Sequence, residues 1–180
     1  EGDFKELHPE QPAYYDGAVV IDLSRIAPMI ALPFHPSNAY TIREVIENAK
    51  DILGEVEALG NKLKGAETFR LTNKIKDGKI YVDQGIIAGC AGGMYENIAE
   101  AAEILKGKSC GNGEFSLSVY PQSQPVFKCL VDNGYISELM GAGAIVKTAF
   151  CGPCFGAGDT PADNGLSIRH TTRNFDNREG

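Results

Sequence analysis

Two cysteines with two residues between them, Cys151-Gly152-Pro153-Cys154, are the sharpest chemical signal in the sequence. That spacing can bring both sulfurs to one metal ion or cluster, and Gly152 and Pro153 allow the tight turn this needs. A zinc ribbon requires a second such pair, which the sequence does not contain. A thioredoxin-type redox pair opens a helix, whereas Phe155-Gly156-Ala157-Gly158 is a poor helix start. Two structural thiols remain the plain alternative. Cys90 follows an apolar run and precedes Ala91-Gly92-Gly93 and the start of a helix, a place that favours a thiolate. On its own it reads as a small buried hydrophobe. With the pair it makes three thiolates, and three cysteines on a four-iron cluster leave one iron open. An open iron is a Lewis acid able to hold a hydroxyl and a carboxylate. Arg173 and Arg178, in Thr171-Thr172-Arg173-Asn174-Phe175-Asp176-Asn177-Arg178, could clamp carboxylates bidentately. Spacing alone favours a solvated charged tail there. Cys110 and Cys129 read as structural thiols. Gln122, Ser123 and Gln124 suit a helix cap, and His35 and His170 read as structural or exposed. Gly141-Ala142-Gly143-Ala144 precedes a strand, so it is not a dinucleotide loop.

These residues need a scaffold. The 180 residues suffice for one domain that buries about 70% of its unfolded surface. Hydrophobic residues at 43% and charged residues at 23% exclude wholesale disorder. No run approaches the ~20 apolar residues of a membrane span. Seventeen basic and 24 acidic residues give a net charge of -7, which disfavours general binding to nucleic acid or anionic membranes. No charged-then-apolar signal region stands at the start, and five cysteines, an odd number, argue for thiols or metal ligation rather than disulfides. A cytoplasmic location is expected. The missing initiator Met and the abrupt stop after a charged run suggest a piece of a longer protein.

Residues 1–17 read as a polar arm and residues 18–180 as the domain. Ala18-Val19-Val20-Ile21-Asp22-Leu23 has strand character. Thr41 with Glu44 forms a capping box for a helix over about 42–59. The stretch 69–82 reads as a hairpin turning at Lys76-Asp77-Gly78-Lys79. Strands are expected at 85–90, 115–120, 144–146 and 166–171, with helices from Met94 to about Leu105, from Ser123 to about Val131, and over Ile136–Met140. This alternation argues for a parallel sheet with helices on its faces. Sites in such sheets form at the carboxyl ends of the strands, where Cys90 and Cys151 could converge.

Several of these segments resemble the aconitase family. Gly89-Cys90, followed by a helix ending Ala101-Ala102-Glu103-Ile104-Leu105-Lys106-Gly107, resembles the first cluster-cysteine segment. Tyr120-Pro121-Gln122-Ser123 resembles its Pro-Gly-Ser turn, and Cys151-Gly152-Pro153-Cys154 its other two cluster ligands. Arg173-Asn174-Phe175 with Arg178 resembles its Arg-Asn-Phe-x-x-Arg signature, and Asp22-Leu23-Ser24 through Pro33 its opening stretch. The motifs follow the family order from about Ala18 to Arg178.

The resemblance implies the family's third, cluster-bearing domain: an α/β, three-layer domain with a mostly parallel sheet flanked by helices. It implies a [4Fe-4S] cluster on Cys90, Cys151 and Cys154, readily lost in an aerobic preparation. It implies carboxylate binding by Arg173 and Arg178, and reversible dehydration of a small hydroxy-polycarboxylate. The family's catalytic serine and its other acid–base residues lie on other domains, so this part alone is expected to be inactive and to need them as partners. Ala91-Gly92 stands where the family has Thr-Asn, Gln122 where it has Gly, and Thr172 where it often has Asn. These departures touch substrate identity and point to a hydratase branch rather than to citrate isomerisation. The alternative is a non-catalytic iron–sulfur or zinc/thiol redox module. An RNA-binding role, known among relatives that lose their cluster, has little support in an acidic chain without interleaved basic and aromatic residues.

Overall fold

The computed structural model describes residues 5–111, 113–176 and 178. Residues 5–28 are exposed, and their only regular element is a 3-10 turn at Leu23–Arg25, where the Asp22 carboxylate accepts the Ser24 N–H at 3.0 Å. The expected strand at 18–23 is therefore absent. Val19 and Val20 are 88% and 93% exposed, because no neighbouring strand offers an edge to pair with, and an unpaired strand does not hold its shape in water.

Strands β1 (Met29–Ala31) and β2 (Ala39–Thr41) pair antiparallel. Thr41 then caps α1 (Ile42–Glu47) through the expected box: its Oγ1 accepts the Glu44 N–H at 3.1 Å, and its own N–H donates to the Glu44 carboxylate at 2.7 Å. The single helix expected over 42–59 is two helices, α1 and α2 (Ala49–Gly60), broken at Asn48. The Asn48 amide donates to the Glu44 carbonyl at 3.3 Å, and its backbone leaves helical geometry at φ −120°. Short polar side chains compete with the helical ladder in this way. The hairpin is present but short, β3 (Ile75–Lys76) against β4 (Lys79–Ile80). These elements enclose a first core of Leu32, Val45, Ile52, Leu53, Val56 and Leu71.

The second half carries the sheet. In chain order come β5 (Gln84–Ile87), α3 (Gly89–Gly92), α4 (Tyr95–Leu105), β6 (Ser116–Val119), α5 (Gln124–Asp132), α6 (Tyr135–Gly141), β7 (Ile145–Val146) and β8 (Ser167–His170). The strands lie in the order β7-β6-β5-β8, and all neighbours are parallel. This is the α/β fold with a parallel sheet flanked by helices. Alternation along each strand sets the two faces. Ile87, Leu117, Val119 and Val146 pack under α4, α5 and α6, around Ile98, Ala102, Leu130 and Leu139, all four fully buried. The opposite face carries Gln84, Ile86, Ser118 and Arg169, and the loop between β7 and β8 lies against it. Ser123 caps α5 as expected, accepting the Val126 N–H at 3.4 Å. Among the described residues no helix is long and apolar enough to cross a membrane.

Candidate cluster and substrate site

Four parallel strands end on one edge, and each runs into a segment singled out in the sequence. β5 leads to Cys90, β6 to Tyr120-Pro121-Gln122, β7 to Cys151 and Cys154, and β8 to Arg173. A cleft of about 240 Å³ opens at this edge, lined by Gly89, Cys90, Pro121, Gln122, Ala149, Phe150 and Cys151. Cys90 and Cys151, remote in sequence, thus share one wall-to-wall space. Both thiols are exposed, whereas Cys154 is 3% exposed. Burial pushes the Cys154 thiol above its usual range, and Cys151 and Cys90 act in the same direction, while the Thr172 N–H opposes them. Cys129 is exposed on α5 and Cys110 is half-buried, and neither lines the cleft.

Three glycines let the first cysteine approach this edge. Gly89 has φ +75°, and a Cβ on it would stand 2.4 Å from the Cys154 sulfur. A Cβ on Gly92 would lie 1.9 Å from the His170 carbonyl oxygen, and one on Gly93 2.5 Å from that of Tyr120. The short helix α3 is wedged between the ends of β8 and β6, with the Gln122 N–H donating to the Gly93 carbonyl at 2.8 Å. This packing leaves no room for a side chain at Gly92.

The loop bearing Cys151 and Cys154 has one regular element, a 3-10 turn at Gly152–Cys154. Polar side chains on the sheet hold it. The Arg169 guanidinium donates to the carbonyls of Pro153 (2.8 Å) and Asp159 (2.9 Å), and to the Gln84 amide oxygen (3.1 Å). The Gln84 amide donates to the Asp159 carbonyl at 3.1 Å. The Asp159 carboxylate accepts from the Tyr120 hydroxyl and, at 2.6 Å, from the Lys147 ammonium. Burial pushes the Asp159 carboxyl up, but the hydrogen bonds of Lys147, Tyr120 and Ser118 outweigh it and hold it below the ordinary carboxylate range. Sequence reasoning missed this support. Gln84 is remote along the chain from Arg169 and Asp159, and the three belong to no motif.

Arg173 is exposed, and Arg178 is half-buried against the Phe175 ring at 5.0 Å. The Arg178 Nε is buried and has no hydrogen-bond partner among the described residues. A buried, unpaired guanidinium nitrogen is costly and marks a place for an acceptor.

The thiols at this edge are Cys90 and Cys151 in the cleft, with the Cys154 sulfur beside Gly89. No three His, Cys, Asp or Glu side chains among the described residues stand close enough to hold one ion. A four-iron cluster binds each thiolate on a different iron and so tolerates wider separation than tetrahedral zinc. Gly89 keeps the space over Cys154 free of a side chain.

Comparison with known proteins agrees with this architecture. The aconitase family (aconitate hydratase) matches residues 1–180. The 3-isopropylmalate dehydratase large subunit of Caldicellulosiruptor bescii is 30% identical over 178 residues, covering 98% of this chain and 34% of that protein. The protein of the same name from Campylobacter hominis is 32% identical over 178 residues, 98% of this chain and 35% of its own. The 2,3-dimethylmalate dehydratase large subunit of Eubacterium barkeri is 28% identical over 180 residues, 99% of this chain and 35% of its own. The chain spans about a third of the length of these curated relatives. With the family match running through every strand end that builds the cleft, this chain belongs to the aconitase family.

Proposed function

We propose that the chain is the cluster-bearing part of a hydro-lyase that dehydrates and rehydrates a small hydroxy-polycarboxylate. The observation that carries this reading is the meeting of Cys90 and Cys151 in one cleft, with the Cys154 sulfur directly beside Gly89. Cys90, Cys151 and Cys154 are the ligands, and residues 18–180 form the domain that holds them behind the 1–17 arm. When bound, a [4Fe-4S] cluster on three cysteines supplies one Lewis-acidic iron free to take a hydroxyl and a carboxylate. The chain's own contribution is binding and orientation. Arg178, whose buried Nε has no partner among the described residues, and Arg173 take the substrate carboxylates as charge-assisted bidentate partners. They also make the local field positive in an acidic chain. Pro121, Ala149 and Phe150 give the cleft an apolar flank that limits water near the reacting carbon. The acid–base residue comes from the rest of the enzyme, which makes the other domains or a second subunit the principal partner. The curated relatives named as large subunits support that arrangement. A cytoplasmic location fits, since thiolate ligands persist in a reducing compartment.

The test is anaerobic reconstitution of the full-length protein with iron and sulfide, read by absorption and EPR. Cluster signals are expected to vanish in Cys90→Ser, Cys151→Ser and Cys154→Ser, and to persist in Cys110→Ser and Cys129→Ser. No cluster in the full-length wild type would overturn the reading in favour of a thiol or zinc redox module.

A further inference from the structure

Asp159 occupies an unusual place in the loop between β7 and β8. Its φ is +46°, in the left-handed region that few residues other than glycine adopt, though aspartate tolerates it. Both of its acceptor groups are used. The backbone carbonyl receives Gln84 and Arg169, from β5 and β8. The carboxylate receives Tyr120, at the end of β6, and Lys147, just past β7. One residue is therefore tied to all four strands of the sheet. Elsewhere in the loop, Arg169 also holds the Pro153 carbonyl, the Thr172 N–H donates to the Cys154 sulfur, the Cys154 N–H donates to the Cys151 carbonyl at 3.1 Å and the Ala157 N–H to the Gly152 carbonyl at 2.9 Å, while the far end of the loop is held by the Arg70 N–H on the Asn164 side-chain oxygen at 3.3 Å and by the Leu166 N–H on the Asp83 carboxylate at 2.7 Å. The partners of Asp159 are well placed to hold it. Gln84 is 8% exposed, Tyr120 5%, and the Asp159 side chain 18%. The Lys147 ammonium also lies 5.4 Å from the Tyr120 ring centre, which fixes cation, ring and carboxylate as one unit. Buried networks with every member satisfied rigidify what they hold.

We propose that Asp159 is the positioning residue of the cysteine loop: tied to Gln84 at the start of β5, to Arg169 within β8, and to Tyr120 and Lys147 just past β6 and β7, it pins the turn that carries Cys154 against Gly89 and so sets the spacing of Cys154 from Cys90. The proposal deepens the reading of these cysteines as ligands, but its consequence is visible in the protein without any cluster. Cys154 is the buried thiol of the three, and its protection depends on the loop staying docked. Local openings of this kind expose particular residues without global unfolding.

The experiment is timed alkylation with iodoacetamide in the cluster-free full-length protein, followed by peptide mass spectrometry at each cysteine. Asp159→Ala and Lys147→Met are compared with wild type. Asp159→Ala removes the carboxylate, and Lys147→Met removes only its cation, so a folded variant is available if the first aggregates. Cys154 is expected to react at least tenfold faster in Asp159→Ala and severalfold faster in Lys147→Met, with the half-buried Cys110 reacting at its wild-type rate. An unchanged Cys154 rate would overturn the proposal. So would an equal acceleration at Cys110, because the residue would then stabilise the whole domain instead of the loop. A protein that never takes up a cluster yet shows the Cys154-specific acceleration would sink the functional reading and leave the positioning role standing.

Discussion

Replacing Gly92 by alanine tests the wedge that seats Cys90. The added Cβ would lie 1.9 Å from the His170 carbonyl oxygen and 2.9 Å from its carbon. The obstacle is backbone, so no side-chain rotation relieves it. α3 cannot retreat freely, because Gly93 on its other flank is bonded to Gln122 and its own Cβ position is blocked by the Tyr120 carbonyl. The end of β8 must move instead, which breaks the 3.2 Å bond from the Ala88 N–H to the His170 carbonyl. Overpacking costs about 1–3 kcal/mol, and a lost backbone hydrogen bond adds about 1 kcal/mol. Reduced freedom of the unfolded chain returns roughly 0.4–1 kcal/mol. The net loss is about 1–3.6 kcal/mol, or roughly 2–14 °C in Tm for a domain of this size. Gly54, inside α2, is the control: a Cβ there meets only Thr72 Cγ2 at 3.9 Å. Gly54→Ala should gain about 0.5–1 kcal/mol, since glycine is a poor helix former. Calorimetry or urea titration of the two variants reads the difference. A Gly92→Ala protein as stable as wild type would refute the close-packing account of this position.

Two further outcomes follow from the site. The depressed carboxyl of Asp159 makes its contribution to stability fully present above the ordinary aspartate range near 4 and lost as pH falls through its lower folded value. The stability difference between wild type and Asp159→Asn should therefore be constant from pH 7 to about pH 5 and shrink below about pH 4, as measured by urea midpoints across that range; a difference that grows on acidification contradicts the sign. Changing Arg173 and Arg178 together to alanine in the full-length enzyme should weaken substrate binding at least tenfold, since each charge-assisted pair contributes on the order of 1.5–3 kcal/mol, and should leave the cluster spectrum intact. Loss of the spectrum in that variant would reassign both residues to a structural role.

Local chemistry was legible where it is written locally. The capping box at Thr41, the Ser123 cap, the strand before Cys90 and the turn at Asp77-Gly78 each depend on residues within a few positions, and all are present. The convergence of Cys90 and Cys151 was legible because parallel strands place their ends on one edge. Asn48 broke a helix whose apolar period continues through it, a case where one side chain outweighs the pattern. The run at 18–23 has strand composition but no strand beside it, and composition does not supply a partner. The ties of Arg169 to Pro153 and Asp159 are side-chain bonds to backbone carbonyls, for which spacing holds no signature. The need for glycine at 92 comes from the carbonyl of a strand far along the chain, which local pattern does not record.

The pairing of β5 with β8 has a consequence for the order of events in folding and synthesis. Gln84 and Ser167 touch across 83 positions, so the final strand closes a long loop before its contacts stabilise it. Until β8 docks, Arg169 is not in place, the loop carrying Cys151 and Cys154 lacks the ties to its Pro153 and Asp159 carbonyls, and the carbonyl that wedges Gly92 is missing. At about 5–20 residues per second on the ribosome, Cys90 waits on the order of ten seconds for the strand that completes its surroundings. The nascent chain thus carries unprotected thiols through that interval, and the oxidation state of its surroundings decides whether the edge assembles with all three available.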